Sequence, residues 1–308
     1  MLRILPPSIL LALAAGSCAS VPVPPVDGAR ALARVERQVA FGPRIPGTPG
    51  HASMRVWLVA ELRRLGADVE EQALRDTTLD RPIDLVNVIA RFPARTRRAP
   101  RRLMLCAHWD TRPWCDQDPD STAWDEPCPG ANDGGSGVAV LLEVAECLSI
   151  RRAPVDVDLV FFDGEDMGRV SHPGEFSLGA RGFAKRLPES GDPLRPAAAF
   201  LFDMVGDKDL DIRVEGTSAE LASNLVALVL EGARATGARS FHEEVGYHVT
   251  DDHIPLIEEG LPAVDIIDFE YPAWHTRRDL PDQVSAESLA EVARVAAWLV
   301  YRSPLTRP

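Results

Sequence analysis

The sequence predicts an α/β fold in three layers, a sandwich in which helices flank a central, mostly parallel or mixed β-sheet. Short apolar runs typical of buried strands alternate with longer segments in which apolar residues recur at helical spacing. The alternation contains no internal repeat and extends over residues 29–303, which predicts a single domain. With 308 residues, 45% of them hydrophobic, the chain can bury one large core or two modest ones.

Apolar residues at helical spacing define the predicted helices. Leu58 and Leu62 lie on one side of a helix that Gly66 ends, because glycine readily adopts the left-handed conformation common at helix C-termini. Another helix begins after the glycine-rich run at residues 131–137. The helices are predicted over residues 29–39, 54–65, 138–148, 221–229 and 285–300, with a short helix over 251–260.

Apolar runs without helical spacing define the predicted strands. The run that ends before Asp163 is typical of a strand buried on both faces. The basic segment from Arg95 to Arg102 is predicted to be the solvated end of a hairpin that joins the first two strands. The strands are predicted over residues 85–89, 103–106, 155–162, 197–202 and 262–267.

Two adjacent acids follow the strand at the centre of the chain. Its sequence, Phe-Phe-Asp-Gly-Glu-Asp at 161–166, turns on Asp163 and Gly164 and then presents Glu165 and Asp166. Neighbouring carboxylates at the end of a buried strand are costly unless a cation or a shared proton offsets their repulsion. This arrangement suits a site in which one carboxylate binds a metal while the other transfers protons.

Other polar side chains fall at equivalent places. His108, Asp203 and His275 follow predicted strands, whereas Asp133 and Asp252 lie at helix starts. Chemistry in such folds gathers where the carboxyl ends of strands meet. Any one of these residues could be only a cap, a turn former or a polar core residue. Together, carboxylate oxygens and imidazole nitrogens indicate a zinc site with one open coordination position.

Six segments in a fixed order resemble the zinc exopeptidase superfamily, and most of all its bacterial, animal-type glutaminyl-peptide cyclotransferases. The Arg-Pro-Trp run after His108 and the Trp-His-Thr segment at 274–276 favour the cyclotransferases, whereas the Asn-Asp-Gly and Glu-Asp segments alone would fit any aminopeptidase of the superfamily. The similarity extends from about residue 29 to residue 301. The other segments are residues 130–134, 161–166, 203–206 and 251–255.

The resemblance implies a zinc-aminopeptidase-like fold and a set of metal ligands. Asp133, Asp166 and His275 would bind one catalytic zinc ion. In the aminopeptidase relatives, His108 and Asp203 hold a second zinc, and both residues are present here. One zinc ion is expected for a cyclotransferase and two for an aminopeptidase.

The resemblance also implies roles beside the metal. Glu165 would carry the proton, and Asp203 and Asp252 would form an acidic hydrogen-bond chain next to it. Trp274 and Trp114 would wall the substrate pocket. The implied reaction converts the N-terminal glutamine of peptides or proteins to pyroglutamate and releases ammonia. The alternatives are a two-zinc aminopeptidase and a binding protein with a degenerate site.

Two departures from the family pattern concern this site. Asp166 stands where the animal enzymes carry glutamate, which keeps an oxygen ligand but shortens its reach. The loop from Met167 to Phe176 contains no tryptophan, whereas relatives usually place an aromatic wall there, and Phe176 or His172 are the candidates to replace it.

The net charge bears on the binding partners of the protein, and the first residues bear on its location. The formal net charge of −13 argues against nucleic-acid binding, which needs a basic face. Residues 1–20 resemble an export signal, and Cys18 lies in a lipobox-like segment, so lipidation and plain cleavage both remain open. A proline-rich linker is predicted over residues 21–28. We expect a monomer that is periplasmic or anchored to the membrane by lipid.

The remaining cysteines and histidines have structural predictions. Cys115 and Cys128 flank an acidic loop, and a disulfide between them is predicted for an exported protein. His253 is predicted to pack at a helix start, and His242 and His248 to lie on the surface.

Overall fold

The central element of the fold is a six-stranded mixed sheet. The computed structural model describes residues 22–96, 101–169 and 171–306, so the predicted export signal with Cys18 lies outside the described residues. The strands in chain order are β1 (Asp68–Asp76), β2 (Ile83–Phe92), β3 (Arg102–His108), β4 (Asp156–Phe162), β5 (Ala198–Asp203), β6 (Ile212–Val214), β7 (Phe241–Val245) and β8 (Ala263–Ile267).

The strand order in the main sheet is β1-β2-β4-β3-β5-β8. The four strands β4, β3, β5 and β8 are parallel to one another, whereas β1 and β2 run antiparallel at one side. β6 and β7 form a separate parallel pair. The parallel strands place four carboxyl ends at one edge of the sheet, which is where the predicted site residues lie.

Helices cover both faces of the sheet, which confirms the three-layer prediction. The main hydrophobic cluster lies on one face and includes α1, α2, α3, α6 and α8, and a second cluster on the opposite face includes α4 and Leu256 of α7. The helices are α1 (Gly28–Val39), α2 (Pro49–Arg64), α3 (Ser136–Ile150), α4 (Leu178–Ala184), α5 (Gly216–Leu221), α6 (Ser223–Thr236), α7 (His253–Glu258) and α8 (Ala286–Tyr301).

Strand β3 shows why the sequence folds in three layers. Leu103 and Leu105 point into the main cluster, while Met104 and Cys106 point into the second cluster, as the two-residue period of a strand requires. All four side chains are fully buried. A strand that is apolar on both faces is stable only between two layers of helices.

The sheet differs from the prediction at its antiparallel side. β2 pairs with β4 and not with β3, so the predicted hairpin across residues 95–102 is wrong. The parallel crossover through α3 brings β4 beside β3 and leaves the other edge of β4 to β2. β1 was not predicted because its side chains are partly or fully exposed at the sheet edge, so it contains no apolar run.

The described N-terminal residues pack against the domain. Val23 and Val26, within the predicted linker, lie against the main cluster, and Asp27 caps α1 by accepting a hydrogen bond from Arg30 N. No helix in the described part of the chain is both long enough and apolar enough to cross a bilayer.

Candidate active site

The carboxyl edge of the sheet gathers the side chains that the sequence singled out. His108 and Asp203 are the last residues of β3 and β5, and Glu165 and Asp166 follow β4 after the turn at Gly164. Gly164 has a φ of +70°, and a Cβ there would lie 2.7 Å from Leu85 Cδ2, so this turn requires glycine. The turn directs the two acids towards the neighbouring strand ends.

Asp133, Asp166 and His275 form a compact group of possible metal ligands. Their donor atoms lie within 4.8 Å of one another, and all three side chains are buried. His275 Nε2 is 3.5 Å from Asp133 Oδ2 and 3.4 Å from Asp166 Oδ1. Zinc bonds of about 2.0–2.1 Å place tetrahedral ligands about 3.3–3.4 Å apart. The group therefore fits a tetrahedral zinc with one open position.

A second group shares Asp133. His108 Nε2 lies 3.2 Å from Asp133 Oδ1 and 3.0 Å from Asp203 Oδ1, and the three donor atoms again lie within 4.8 Å. His108 and Asp203 are already joined by this hydrogen bond, whereas Asp166 Oδ2 in the first group is buried without a hydrogen-bond partner. The Asp133 carboxylate thus belongs to both groups, with Oδ1 facing His108 and Oδ2 facing His275.

Glu165 is buried beside the first group and is held by its backbone. Asp110 accepts hydrogen bonds from Glu165 N and Asp166 N at 3.0 and 3.2 Å, and Ser177 N donates to Glu165 O at 2.9 Å. Burial raises the pKa of Glu165 well above its usual value, and the charge of Asp251 raises it further. The protonated form of Glu165 is therefore favoured more than that of an exposed glutamate.

Asp251, the neighbour of the predicted Asp252, is also buried and acts on Glu165 through its charge. Burial, and next the charge of Asp203, raise the pKa of Asp251 to about 7. The charge of Asp251 also acts on Glu165 more strongly than that of Asp252. Neither carboxylate oxygen of Asp252 has a hydrogen-bond partner among the described residues. Two adjacent aspartates at a helix start are indistinguishable by sequence pattern.

Two side chains of the loop after β3, the buried Arg112 and the half-buried Asp116, contact the metal-ligand group and have no role assigned by the sequence. Arg112 Nη1 donates to Asp166 Oδ1 at 2.6 Å, and its other two nitrogens donate to Asp116. Asp116 Oδ1 also lies 3.4 Å from His275 Nδ1. The Arg-Pro-Trp segment was a signal for Arg112, but nothing in the sequence pointed to Asp116.

Aromatic rings surround this group. Trp274 stacks on His275, with ring centroids 3.9 Å apart, and is half-buried. The rings of Trp114 and Phe176 both lie over the Arg112 guanidinium, at 5.6 and 5.7 Å. Of the two candidates for the missing aromatic wall, Phe176 is thus next to the site. His172 is exposed, and its ring bonds only the neighbouring Ser171 among the described residues.

Three residues with left-handed backbones also lie at the site. Ser177, Met204 and His275 have φ of 56°, 48° and 53°, and they are the non-glycine residues with positive φ in the described chain. Ser177 contacts Glu165, Met204 follows Asp203, and His275 is a proposed ligand. Such backbones cost about 1–3 kcal/mol each and persist where surrounding contacts hold them.

The predictions for the remaining cysteines and histidines have separate outcomes. The Cys115 and Cys128 sulfur atoms lie 2.8 Å apart as free thiols, so the disulfide stays a prediction. His253 is fully buried at the start of α7, with Nε2 3.2 Å from Glu215 Oε2, as predicted for a packed residue. His242 and His248 are largely exposed, also as predicted.

Comparison with known proteins finds the same fold and related sequences. The model of peptidase family M28 matches residues 87–300. A glutaminyl cyclase from Porphyromonas gingivalis is 37% identical, with 88% of this chain and 96% of that chain covered and a TM-score of 0.82. A leucine aminopeptidase precursor from Bacteroides thetaiotaomicron is 31% identical, with 92% and 99% covered and a TM-score of 0.86. The mouse glutaminyl-peptide cyclotransferase-like protein is 28% identical over 279 residues, which cover 82% of this chain and 70% of that protein.

Proposed function

The chain belongs to peptidase family M28, and on that premise we propose that it is a zinc-dependent glutaminyl-peptide cyclotransferase. Its substrates are peptides or proteins with an N-terminal glutamine, and its products are the pyroglutamyl peptide and ammonia. The observation that carries the proposal is the buried Glu165 beside the Asp133–Asp166–His275 group, in a chain similar to several glutaminyl cyclases.

The residues around the substrate divide the chemistry between them. Asp133, Asp166 and His275 would hold a zinc ion, which would supply Lewis acidity for the side-chain carbonyl of the substrate glutamine. Glu165 accepts a proton as the α-amine nitrogen forms its bond to the carbonyl carbon. The same carboxyl then donates a proton to the amide nitrogen, and the carbon–nitrogen bond breaks to release ammonia. The proton that leaves the amine is thus replaced by the one given to ammonia, and no water molecule is consumed.

The surroundings of Glu165 suit it both to accept the proton of the amine and to donate a proton to the leaving nitrogen. A general acid and base works best when its pKa lies near the working pH. Burial and the neighbouring Asp251 move the pKa of Glu165 upwards from its usual acidic range. Because nucleophile and carbonyl belong to one residue, closing the five-membered ring needs mainly correct orientation. The rings of Trp274, Trp114 and Phe176 would provide the walls that exclude water.

We propose one zinc ion rather than two. His108 Nε2 already makes a hydrogen bond of 3.0 Å with Asp203 Oδ1 without an ion, whereas Asp166 Oδ2 has no partner among the described residues. A two-zinc aminopeptidase is the second candidate, because His108, Asp133 and Asp203 also form a possible metal group. In that enzyme Glu165 would activate water for peptide hydrolysis.

Product analysis with a glutamine-initiated peptide separates the two candidates. We expect release of ammonia and a peptide that lacks one ammonia in its mass spectrum, with about one zinc per chain by elemental analysis. A peptide of the same sequence with N-terminal alanine is the control and should remain unchanged. Release of free glutamine, or removal of the N-terminal alanine, would overturn the cyclotransferase proposal and favour the aminopeptidase.

We also propose that the protein is exported and acts as a monomer on peptide N-termini outside the cytoplasm. The support is the apolar, signal-like character of residues 1–20 and the lipobox-like segment at Cys18. Mass spectrometry of the mature N-terminus tests this proposal. A diacylglyceryl group on Cys18 indicates a lipid anchor, cleavage near residues 17–20 indicates a periplasmic protein, and an intact Met1 contradicts export.

A further inference from the structure

We infer that Arg112 and Asp116 form a clasp that positions two of the zinc ligands, Asp166 and His275. Both residues belong to the loop that follows β3, and both contact a ligand directly. The role depends on the zinc centre of the proposed enzyme and not on which reaction the zinc serves.

Arg112 binds two carboxylates with one planar group. Its side chain is buried, and Nη1 lies 2.6 Å from Asp166 Oδ1. On the other side, Nε and Nη2 lie 2.8 and 2.6 Å from the two oxygens of Asp116, which is the bidentate geometry of an arginine–carboxylate pair. The rigid fork thus fixes the distance between Asp116 and the ligand Asp166.

Asp116 extends this contact to the second ligand. His275 Nε2 faces Asp133 and Asp166, so Nδ1 is the nitrogen left for support. Asp116 Oδ1 lies 3.4 Å from Nδ1, an ion-pair distance, and Nδ1 makes no hydrogen bond with any described residue. A carboxylate at that nitrogen favours the tautomer with Nδ1–H, which leaves the Nε2 lone pair free for a metal. Gln117, the next residue, donates from its N to His275 O at 3.1 Å.

The backbone of His275 explains why such support is needed. Its φ of +53° is unfavourable for a residue with a side chain, so contacts from outside its own segment must hold it. The contacts of Asp116 and Gln117 come from a different part of the chain and meet both the ring and the carbonyl of His275.

The same loop contains a natural control. Asp120 accepts a hydrogen bond from Arg277 at 3.0 Å, so it forms another carboxylate–arginine pair, but this pair is exposed and touches no proposed ligand. A loop that only needs ion pairs for its own stability would respond similarly to loss of either carboxylate.

Zinc affinity of the purified full chain tests the clasp. We expect Asp116→Asn and Arg112→Lys each to weaken zinc binding about 10- to 100-fold in competition with a chromophoric chelator. Asp120→Asn should change it less than about twofold, because exposed pairs contribute little. Cobalt(II) substituted for zinc should show an altered visible spectrum in the first two variants only, since the ligand field changes when His275 or Asp166 is displaced.

Thermal unfolding of the metal-free proteins shows whether each variant folds, so that a loss of zinc affinity can be told apart from a loss of folding. If Asp116→Asn and Arg112→Lys bind zinc as tightly as the unmodified protein, or no more weakly than Asp120→Asn, the clasp is refuted. If Asp116→Asn does not fold, Arg112→Lys decides alone, because lysine keeps the charge but loses the fork. Failure to release ammonia in the product assay would leave these affinities unaffected, so the two proposals fail separately.

Discussion

Two sides of the site contain the same kinds of acid but differ in counter-charge. On the metal side, Arg112 lies against Asp166 and Asp116, and both carboxylates have lowered pKa values. On the opposite side lie buried carboxylates that no arginine or lysine contacts in the described chain, and their pKa values are raised, chiefly by burial. The residues of that side are Glu165, Asp251, Asp252 and Asp265.

The comparison is sharpest between Glu165 and Asp166, which are neighbours in the chain. Burial affects both, but the charges of His275 and Arg112 lower the pKa of Asp166, whereas the charge of Asp251 raises that of Glu165. A pair of acids whose pKa values are driven apart commonly divides into a charged partner and a proton carrier. The charges of His275 and Arg112 thus separate the pKa values of two buried neighbours, and we call the Glu165 side the proton side.

Substitution of the two neighbours should produce the largest and most different effects. Glu165→Gln removes the proton carrier, so turnover should fall by about 10²–10⁴-fold while zinc content stays near that of the unmodified protein. Asp166→Asn should instead reduce zinc content, because a neutral amide replaces a charged ligand. Ammonia release and elemental analysis on the same samples distinguish them. The exposed Glu189→Gln is the control, and full turnover by Glu165→Gln would remove Glu165 from the mechanism.

Arg44 has a second buried guanidinium, and its substitution tests how much the backbone contacts of that group stabilise the fold. It is fully buried and donates to the backbone oxygens of Trp109, Pro129 and Gly130 at 3.1, 2.9 and 2.6 Å. Arg44→Lys cannot reproduce this fork, and we expect a loss of about 3 kcal/mol in the free energy of unfolding. Urea denaturation measures it. A change below about 0.5 kcal/mol, the range of an ordinary surface substitution, would show that the three contacts are dispensable.

Oxidation should strengthen the loop on the metal side. If Cys115 and Cys128 pair, closure of the intervening loop should add about 2–3 kcal/mol of stability. Non-reducing peptide mapping detects the pairing, and the thermal midpoint with and without reductant gives its size. Cys128→Ser should lose this dependence on reductant, whereas Cys147→Ser, in helix α3, should keep it. Two free thiols in protein isolated from an oxidising compartment would contradict the predicted disulfide.

The raised pKa values on the proton side should make the stability of the fold depend on pH. Burial raises the pKa of Asp265 above its usual value, so the stability of the neutral form is full at low pH and is lost as pH rises through the folded pKa. Between about pH 5 and pH 8, metal-free Asp265→Asn should therefore lose less stability than the unmodified protein.

Urea denaturation at both pH values checks this smaller effect. The exposed Asp125→Asn is the matched control and should follow the unmodified protein. An equal or steeper loss of stability for Asp265→Asn would mean that Asp265 is charged in the folded state throughout this range.

The sequence located the strand ends but not the contacts between loops. Glu165, Asp203 and His108 were recognisable because parallel strands bring their carboxyl ends to one edge, and a period-two apolar pattern marks where each strand stops. Asp116 had no such mark, because its position depends on the path of an irregular loop. The sequence pattern likewise did not separate Asp251 from Asp252, and β1 lacked an apolar run.

The backbones of Ser177, Met204 and His275 set a limit on how far this protein can be stabilised without harm. Glycine would relieve the backbone strain at each of the three positions, but at position 275 it would remove a proposed ligand. At positions 177 and 204 it would increase the conformational freedom of the backbone that contacts Glu165 and follows Asp203, where the reaction needs fixed positions. A more heat-resistant form should therefore be sought in the surface segments far from the sheet edge, with these three positions left as they are.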